Sequence, residues 1–387
     1  MRTGAVVIGG DYQGLGIVRS LGRHGVPVLV LDNERSIAAA SRYTGKVVRV
    51  PGLRDDEDTL RALDGLRRRF GLAGWVLYAT REETVAALSR HRADLARHWR
   101  VPTPDWDSVR YAWDKRETYR LAQKLGIGVP RSWFPMDEAD LAQVDGDGPF
   151  AVKPAIKEHF FYATGVKAWR ADGRAELLAA FRRAAAVVPA GEVVVQELVP
   201  GGGETQLAWC GLFRDGRPVA SMTARRLRQH PSEFGRASTF VETVAAPELE
   251  GPSTRFLAAI GYHGLVEVEY KVDPRDGEPK LLDVNARTWG YHTLGRAAGV
   301  DFPYLLFLDQ LGRPVPRVAA RPGVRWIRLA TDLPNAVVDW RAGRLRTGAY
   351  LASLLRVRTE AVLSWSDPLP ALYEVALAPH LATSRGL

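Results

Sequence analysis

The chain has 387 residues, 46% of them hydrophobic and 25% charged, which is enough for more than one core and ordinary for a globular protein. Its single cysteine, Cys210, excludes a disulfide framework and a cysteine-rich zinc site, and no apolar run approaches the ~20 residues of a membrane span. The opening MRTGAVVIGG is too glycine-rich for a secretory signal, and the net charge of +9 is scattered with no basic stripe and interleaved aromatics. A cytoplasmic protein is expected, with neither membrane nor nucleic acid among its partners.

In chain order, GAVVIGGDYQGLGIVRSLGRHGVPVLVLD reads as strand, glycine turn, helix and strand. Residues 6–8 form a buried strand, Gly9, Gly10, Gly14 and Gly16 make the turn, a helix covers 15–22, and a second parallel strand ends at Asp32. This is a βαβ unit. GWVLYAT (74–80) is a further strand, followed by the acidic turn REET with Glu82 and Glu83. VPTPDWDS (101–108) is a proline-rich boundary. DSVRYAWDKRETYRLAQKLGIGVP predicts a capped helix, a second helix carrying Lys115 at its start, and a stop at Gly126. PFAVKP (149–154) is a short strand ending at Lys153, and RAELLAAFRRAAAVV is an amphipathic helix. EVVVQELVPGGGETQLAWCGLF is a strand over 196–199, a glycine loop with Glu204, and another strand. A helix and a hairpin follow in FLAAIGYHGLVEVEYKVDPRDGEPKLLDVNAR, and DWRAGRLRTGAYLASLLRV near the end is helical.

The hairpin carries the chemistry. In LVEVEYKV, Val266, Val268, Tyr270 and Val272 share one face, and Glu267, Glu269 and Lys271 the other. In KLLDVNARTWG, Asp283, Asn285 and Arg287 share a face, while Leu282, Val284 and Ala286 take the opposite one. A three-residue loop at Arg275, Asp276 and Gly277 places Glu269 opposite Asp283 and Glu267 opposite Asn285. Like charges across a strand pair repel, and a divalent cation between them removes the repulsion. Oxygen-only donors suit Mg²⁺, with Mn²⁺ as a substitute, rather than zinc. An ordinary solvated strand is the competing reading, and a slip of one residue would separate the groups.

Only eight of the 53 basic residues are lysine, so Lys153 at a strand end stands out as a compact cation suited to phosphate. The segment at 196–199 can offer backbone groups to an adenine edge, and Glu204 can reach ribose hydroxyls.

The order of these pieces resembles the ATP-grasp superfamily of carboxylate–amine ligases, over about 114–287. The motifs are Asp114-Lys115, Val152-Lys153-Pro154, Gln196-Glu197-Leu198-Val199 with Glu204, and Glu269 followed by Asp283-Val284-Asn285-Ala286-Arg287. LRQHPSEFG (227–235) and SDPLP look similar to a branch acting on amino acids. The resemblance implies a mixed α/β and α+β protein: a Rossmann-like domain at 1–102 followed by a two-lobed ATP-grasp fold. The small lobe is expected at 103–190, the large lobe with the metal site at 191–312, and an extension packed on the core at 313–387. It implies ATP held by Lys115, Lys153, Gln196, Glu197, Val199 and Glu204. It implies Mg²⁺ on Glu269, Asp283 and Asn285, and catalytic roles for Arg287 and Arg228. The expected reaction joins a small-molecule acid and amine through an acyl phosphate and ADP, and a homodimer fits the reading. The sequence departs from the pattern in three places: Asp283 replaces Glu, Ala286 replaces the frequent Pro, and AIKEHFFYATG replaces a glycine-rich phosphate loop, so that Lys157 or Lys167 is left to assist. The rivals are a nicotinamide-dependent oxidoreductase using GGDYQGLG and Asp32, and a non-catalytic nucleotide-binding protein or a polyanion binder.

Overall fold

The computed structural model describes residues 3–231, 234–235 and 237–385. Strand β1 (Ala5–Ile8), helix α1 (Tyr12–Arg23), β2 (Val28–Asp32), β3 (Lys46–Arg49), α2 (Asp56–Phe70) and β4 (Val76–Ala79) build a parallel sheet of order β3-β2-β1-β4. α1 starts at Tyr12 rather than Leu15 because the Asp11 carboxylate accepts the Tyr12 amide and caps the helix. Helices α3 (Glu82–Arg90), α4 (Arg92–Ala96), α5 (Trp106–Trp113) and α6 (Lys115–Lys124) follow. α6 begins at Lys115 because the Asp114 side chain accepts the Arg116 amide.

A second sheet contains β5 (Ser132–Trp133), β6 (Phe150–Pro154), β7 (Trp169–Ala171) and β8 (Val193–Glu197), in the order β5-β8-β6-β7. Helix α7 (Lys157–Thr164) leaves the end of β6, and α8 (Arg174–Ala185) packs on this sheet. Phe150, Val152, Phe160, Phe181, Val193 and Val195 form its core. The expected small-lobe boundary at 190/191 excludes β8, yet β8 pairs with β6 from Val193 opposite Pro154 to Glu197 opposite Phe150. It therefore belongs with the small sheet.

The large sheet is built from β9 (Gln206–Arg214), β10 (Arg217–His230), β11 (Ala237–Thr243), β12 (Gly264–Val272) and β13 (Pro279–Asn285), with α9 (Glu250–Ala259) between β11 and β12. Helices α10 (Thr293–Ala297) and α11 (Phe302–Gln310), β14 (Val318–Ala319), β15 (Arg325–Ile327), α12 (Leu329–Arg341), α13 (Thr347–Leu354), β16 (Val357–Glu360) and α14 (Leu369–Arg385) complete the chain. β14, β15 and β16 are strands of this eight-stranded sheet, whose main path runs β13-β12-β9-β10-β11-β15-β16. The last 70 or so residues are thus integral to the large sheet as well as packed on it.

The hairpin β12–β13 reaches the expected register by an unexpected route. Next to the turn, Val272 faces Pro279 and Lys271 faces Lys280, one residue off the predicted pairing. A bulge between Glu269 and Tyr270 then restores Glu269 opposite Asp283 and Glu267 opposite Asn285. The bulge also turns Leu282 from the apolar face to the cleft, and Leu281 takes the buried position instead.

Candidate active site

A cleft of about 570 Å³ separates the small sheet from the large one. On the small-sheet side, the Lys153 ammonium donates to the Gln196 carbonyl oxygen (2.7 Å) and to the Tyr119 hydroxyl (2.8 Å). Gln196 donates in turn to Ser132 Oγ at 2.8 Å, which fixes its orientation. Glu197 accepts from the backbone amide of Arg131 at 3.0 Å and from its guanidinium at 3.2 Å. Gln196, Glu197, Leu198 and Val199 form one wall, and Leu282 lies on the facing side.

The opposite wall is the face of β12 and β13. Lys115 Nζ donates to Asp283 Oδ1 at 2.6 Å. Burial alone would raise the Asp283 carboxyl, but Lys115, with Lys157 and Lys167, holds the group below the usual carboxylate range. Asn285 donates to Glu269 (2.9 Å) and Glu267 (3.1 Å). Glu269 also pairs with Arg226 at 3.0 Å. Glu267 is 4% exposed, and burial together with the charge of Glu269 pushes its carboxyl up to about 7. Tyr291 donates to it at 2.5 Å. Arg287 pairs with Glu82 of the N-terminal domain at 2.7 Å, so the doubly wound domain supplies one side of the site. A smaller cavity of about 60 Å³ continues from the cleft, lined by Tyr12, Glu267, Asn285 and Arg287.

The structure brings together Lys115, Lys153, Gln196, Glu197, Val199, Glu269, Asp283, Asn285 and Arg287 around these two cavities. Two expected residues lie elsewhere. Glu204 is exposed and accepts the Gly202 amide at 3.0 Å, outside the cleft lining. Arg228 makes a two-pronged pair with the fully buried Asp332 at 2.9 and 2.8 Å and lies over the Phe240 ring. β10 is irregular at this point, so Arg226 turns to the cleft while Arg228 joins β10 to α12. Ser232 and Glu233 of LRQHPSEFG lie outside the described residues. Sequence reasoning missed Arg226 and did not count Glu267 among the ligands, although period-two alternation puts Glu267 beside Glu269. Nothing local marks Arg226, because its value lies in a partner 43 positions away.

Among the described residues, no three or more acidic, histidine or cysteine side chains converge closely enough to cage a metal ion. Mg²⁺ dehydrates reluctantly and takes one or two carboxylates plus substrate phosphates. Glu269, Asp283 and Asn285 fit as those hard oxygen donors: Glu269 faces Asp283 in register, and Asn285 follows two residues on along the same strand and donates to Glu269. Their charges are balanced here by Arg226 and Lys115.

Asp32 is not free to hold a ribose. It is 1% exposed, accepts the Gly10 amide at 2.7 Å and pairs with Arg81 at 2.9 Å. Ser36 fills the space at Gly10, where a Cβ would lie 2.4 Å from Ser36 Oγ. The parallel domain is internally satisfied at the point where a dinucleotide would bind.

Two lobes gripping a cleft, with lysines and an acidic hairpin in its lining, behind a parallel N-terminal sheet, give the chain the ATP-grasp fold. Residues 214–331 match the family model described as ATP-grasp in the biosynthetic pathway with Ter operon. The chain is 22% identical to a D-aspartate ligase of Enterococcus faecium, over 73% of this chain and 70% of that protein. Among solved structures, it resembles an L-amino acid ligase from Bacillus licheniformis with a TM-score of 0.62 and 18% identity, over 84% of this chain and 78% of that one. It also resembles N5-carboxyaminoimidazole synthetase from Staphylococcus aureus complexed with ADP, with a TM-score of 0.64 and 15% identity, over 82% and 80% of the two chains. No helix among the described residues is long and apolar enough to cross a membrane.

Proposed function

We propose that this protein is an ATP-dependent carboxylate–amine ligase that forms an amide bond through an acyl phosphate, with an amino acid or a similar small metabolite as substrate. One observation carries the reading: Lys115 and Lys153 line one cleft with Glu269 and Asp283, and Asn285 joins the two carboxylates in the adjoining smaller cavity. Phosphoryl transfer asks for positioning and charge neutralisation more than for covalent help, and this is what the cleft offers. The segment 196–199 and Leu282 hold the base, and Lys153 and Lys115 hold the inner phosphates. Glu269, Asp283 and Asn285 would hold Mg²⁺, which would supply charge neutralisation for phosphoryl transfer. The acid lies in the smaller cavity, where Arg287 balances the charge that develops on it. The substrate carboxylate attacks the γ-phosphate; the amine then attacks the acyl carbon and phosphate leaves. The names of two similar proteins, a D-aspartate ligase and an L-amino acid ligase, support an amino acid as substrate.

The test offers amino acids, dipeptides and simple acids with MgATP, with and without hydroxylamine. ADP and phosphate should form only when the right acid is present, and hydroxylamine should trap a hydroxamate. AMP and pyrophosphate as products would exclude the acyl phosphate. Tight nicotinamide binding that depends on Gly14 and Asp32 would restore the oxidoreductase.

A further inference from the structure

The polar face of the hairpin has two levels. Glu269 and Asp283 face each other at the level of the large cleft. Glu267 and Asn285, two residues away on each strand, face each other beside the smaller cavity. Glu267 sits at a strand centre between Val266 and Val268, both fully buried. A carboxylate held there costs stability that an apolar side chain would not, so its hydrogen bonds point to a use.

Those bonds run in two directions. Glu267 Oε1 accepts from the Tyr291 hydroxyl at 2.5 Å. Glu267 Oε2 accepts from the Asn285 amide nitrogen at 3.1 Å, and the same nitrogen donates to Glu269 at 2.9 Å. Tyr291 is itself fixed. It is buried, its ring lies edge-on to Trp326 with centres 6.2 Å apart, and its oxygen is 3.7 Å from Cys210 Sγ on β9. Tyr291, Trp326 and Cys210 belong to one hydrophobic core. A chain of contacts therefore leads from packed core through Tyr291 and Glu267 to Asn285.

A primary amide has a donor end and an acceptor end of nearly the same shape, and its surroundings decide which way it turns. Carboxylates on one side of Asn285 accept its NH₂ and repel its oxygen. The oxygen is left to the other side, where the Arg287 guanidinium lies at 3.5 Å. A cation is held by that oxygen and repelled by the NH₂. Of the two carboxylates, Glu269 is itself assigned to the ion and is shared with Arg226. Glu267 is left to keep the amide turned.

We propose that Glu267, braced by Tyr291, is a positioning residue that fixes the Asn285 amide so that its oxygen, and not its NH₂, is offered to Mg²⁺. This rests on the ligase reading above, which assigns the ion to Glu269, Asp283 and Asn285. Groups that orient a metal ligand through its other hydrogen bond are worth about 10–100-fold in metal affinity.

The test reads metal affinity rather than turnover. Mn²⁺ is titrated into the full chain, kept in excess over ADP, and the free ion is followed by its electron paramagnetic resonance signal. Glu267→Leu should weaken Mn²⁺ by about tenfold or more. Glu267→Gln removes the charge but keeps an acceptor for Asn285, and should retain most of the affinity. Tyr291→Phe keeps the charge but removes the brace, and should cost about threefold. In Asn285→Ala there is no amide to orient, so adding Glu267→Leu should cost nothing further. Affinity for ADP without metal, measured by calorimetry, should be the same in all variants. The near-isosteric Gln and Phe variants keep the test open should Glu267→Leu fail to fold, because positioning demands the greater loss in Tyr291→Phe and a purely electrostatic role the greater loss in Glu267→Gln. Equal losses in Glu267→Gln and Glu267→Leu, additive losses with Asn285→Ala, or a parallel loss of metal-free ADP affinity overturns this assignment and leaves the ligase reading standing. Failure of the wild-type protein to bind either Mn²⁺ or ADP overturns both.

Discussion

Asp283 is already committed to Lys115, at 2.6 Å. On the proposed reading the Lys115 ammonium would turn to phosphate and the Asp283 carboxylate would help hold Mg²⁺. This arrangement keeps a buried carboxylate paired, since an unpaired one is costly. Asp283→Asn should leave the fold intact and lower turnover by at least about a hundredfold. Circular dichroism with steady-state ADP release checks both halves, and near-normal turnover with an unchanged Mg²⁺ dependence removes Asp283 from the site. Lys167 gives the pH-dependent counterpart. Its folded-state amine lies near 7, below the ordinary lysine value of 10.5, through burial and the nearby Lys157. Between those values the unfolded chain binds more protons than the folded one, so this group's contribution to stability rises with pH across that window. Lys167→Met should raise the melting temperature of the nucleotide-free protein at pH 6–7, with the gain shrinking toward pH 10.5. A gain independent of pH would mean that the amine is not desolvated.

At the scale of elements, the bulge in β12–β13 decides what faces the nucleotide. Leu282 is on the cleft side only because the bulge puts it there. Leu282→Ala should weaken ATP, ADP and AMP alike by about tenfold, the order expected for uncovering part of a leucine. A loss confined to ATP would place the residue at the phosphates instead. The same element shows how much was legible in the sequence. Alternation placed Glu267, Glu269, Asp283 and Asn285 correctly, because a strand with one buried face tolerates no slip. It misassigned Leu282, because a bulge leaves no mark in a period-two pattern. The strand ending at Lys153 and the capped start of α6 at Lys115 were legible from local chemistry. Arg228 was misread because its partner, Asp332, lies 104 positions away, and no local pattern reveals a long-range ion pair. KEHFFYAT was taken as a loop by position, although its composition permits the helix that forms.

At the scale of the whole molecule, the two ends of the chain are locked together. Asp367 is 1% exposed. It accepts from Arg19 of α1 (2.9 Å), Ser41 Oγ (2.7 Å) and the Arg42 amide (2.9 Å). Arg19 also donates to the Val362 and Asp367 carbonyls, both at 2.7 Å. The C-terminal segment therefore fastens the N-terminal domain whose Glu82 completes the site. Asp367→Ala leaves the buried Arg19 without its counter-charge and should cost about 3–5 kcal/mol. Arg19→Met combined with Asp367→Leu should recover much of that loss, because removing both charges avoids a lone buried ion. Chemical denaturation of the single and double variants checks this, and equal losses in both would mean that the contact is one of packing alone.

The placement of the lysines has a consequence for covalent chemistry. Arginine guanidinium groups stay protonated and do not attack acyl donors under ordinary conditions, so most of this protein's positive surface is inert to amine-directed reagents. Five of its eight lysine side-chain amines line one cleft. A bulky acylating or Schiff-base reagent thus has few targets outside the site. Bound MgATP should leave chiefly Lys46, Lys124 and Lys280 to be modified, so that a mass-spectrometric footprint of lysine labelling reports occupancy of the cleft directly.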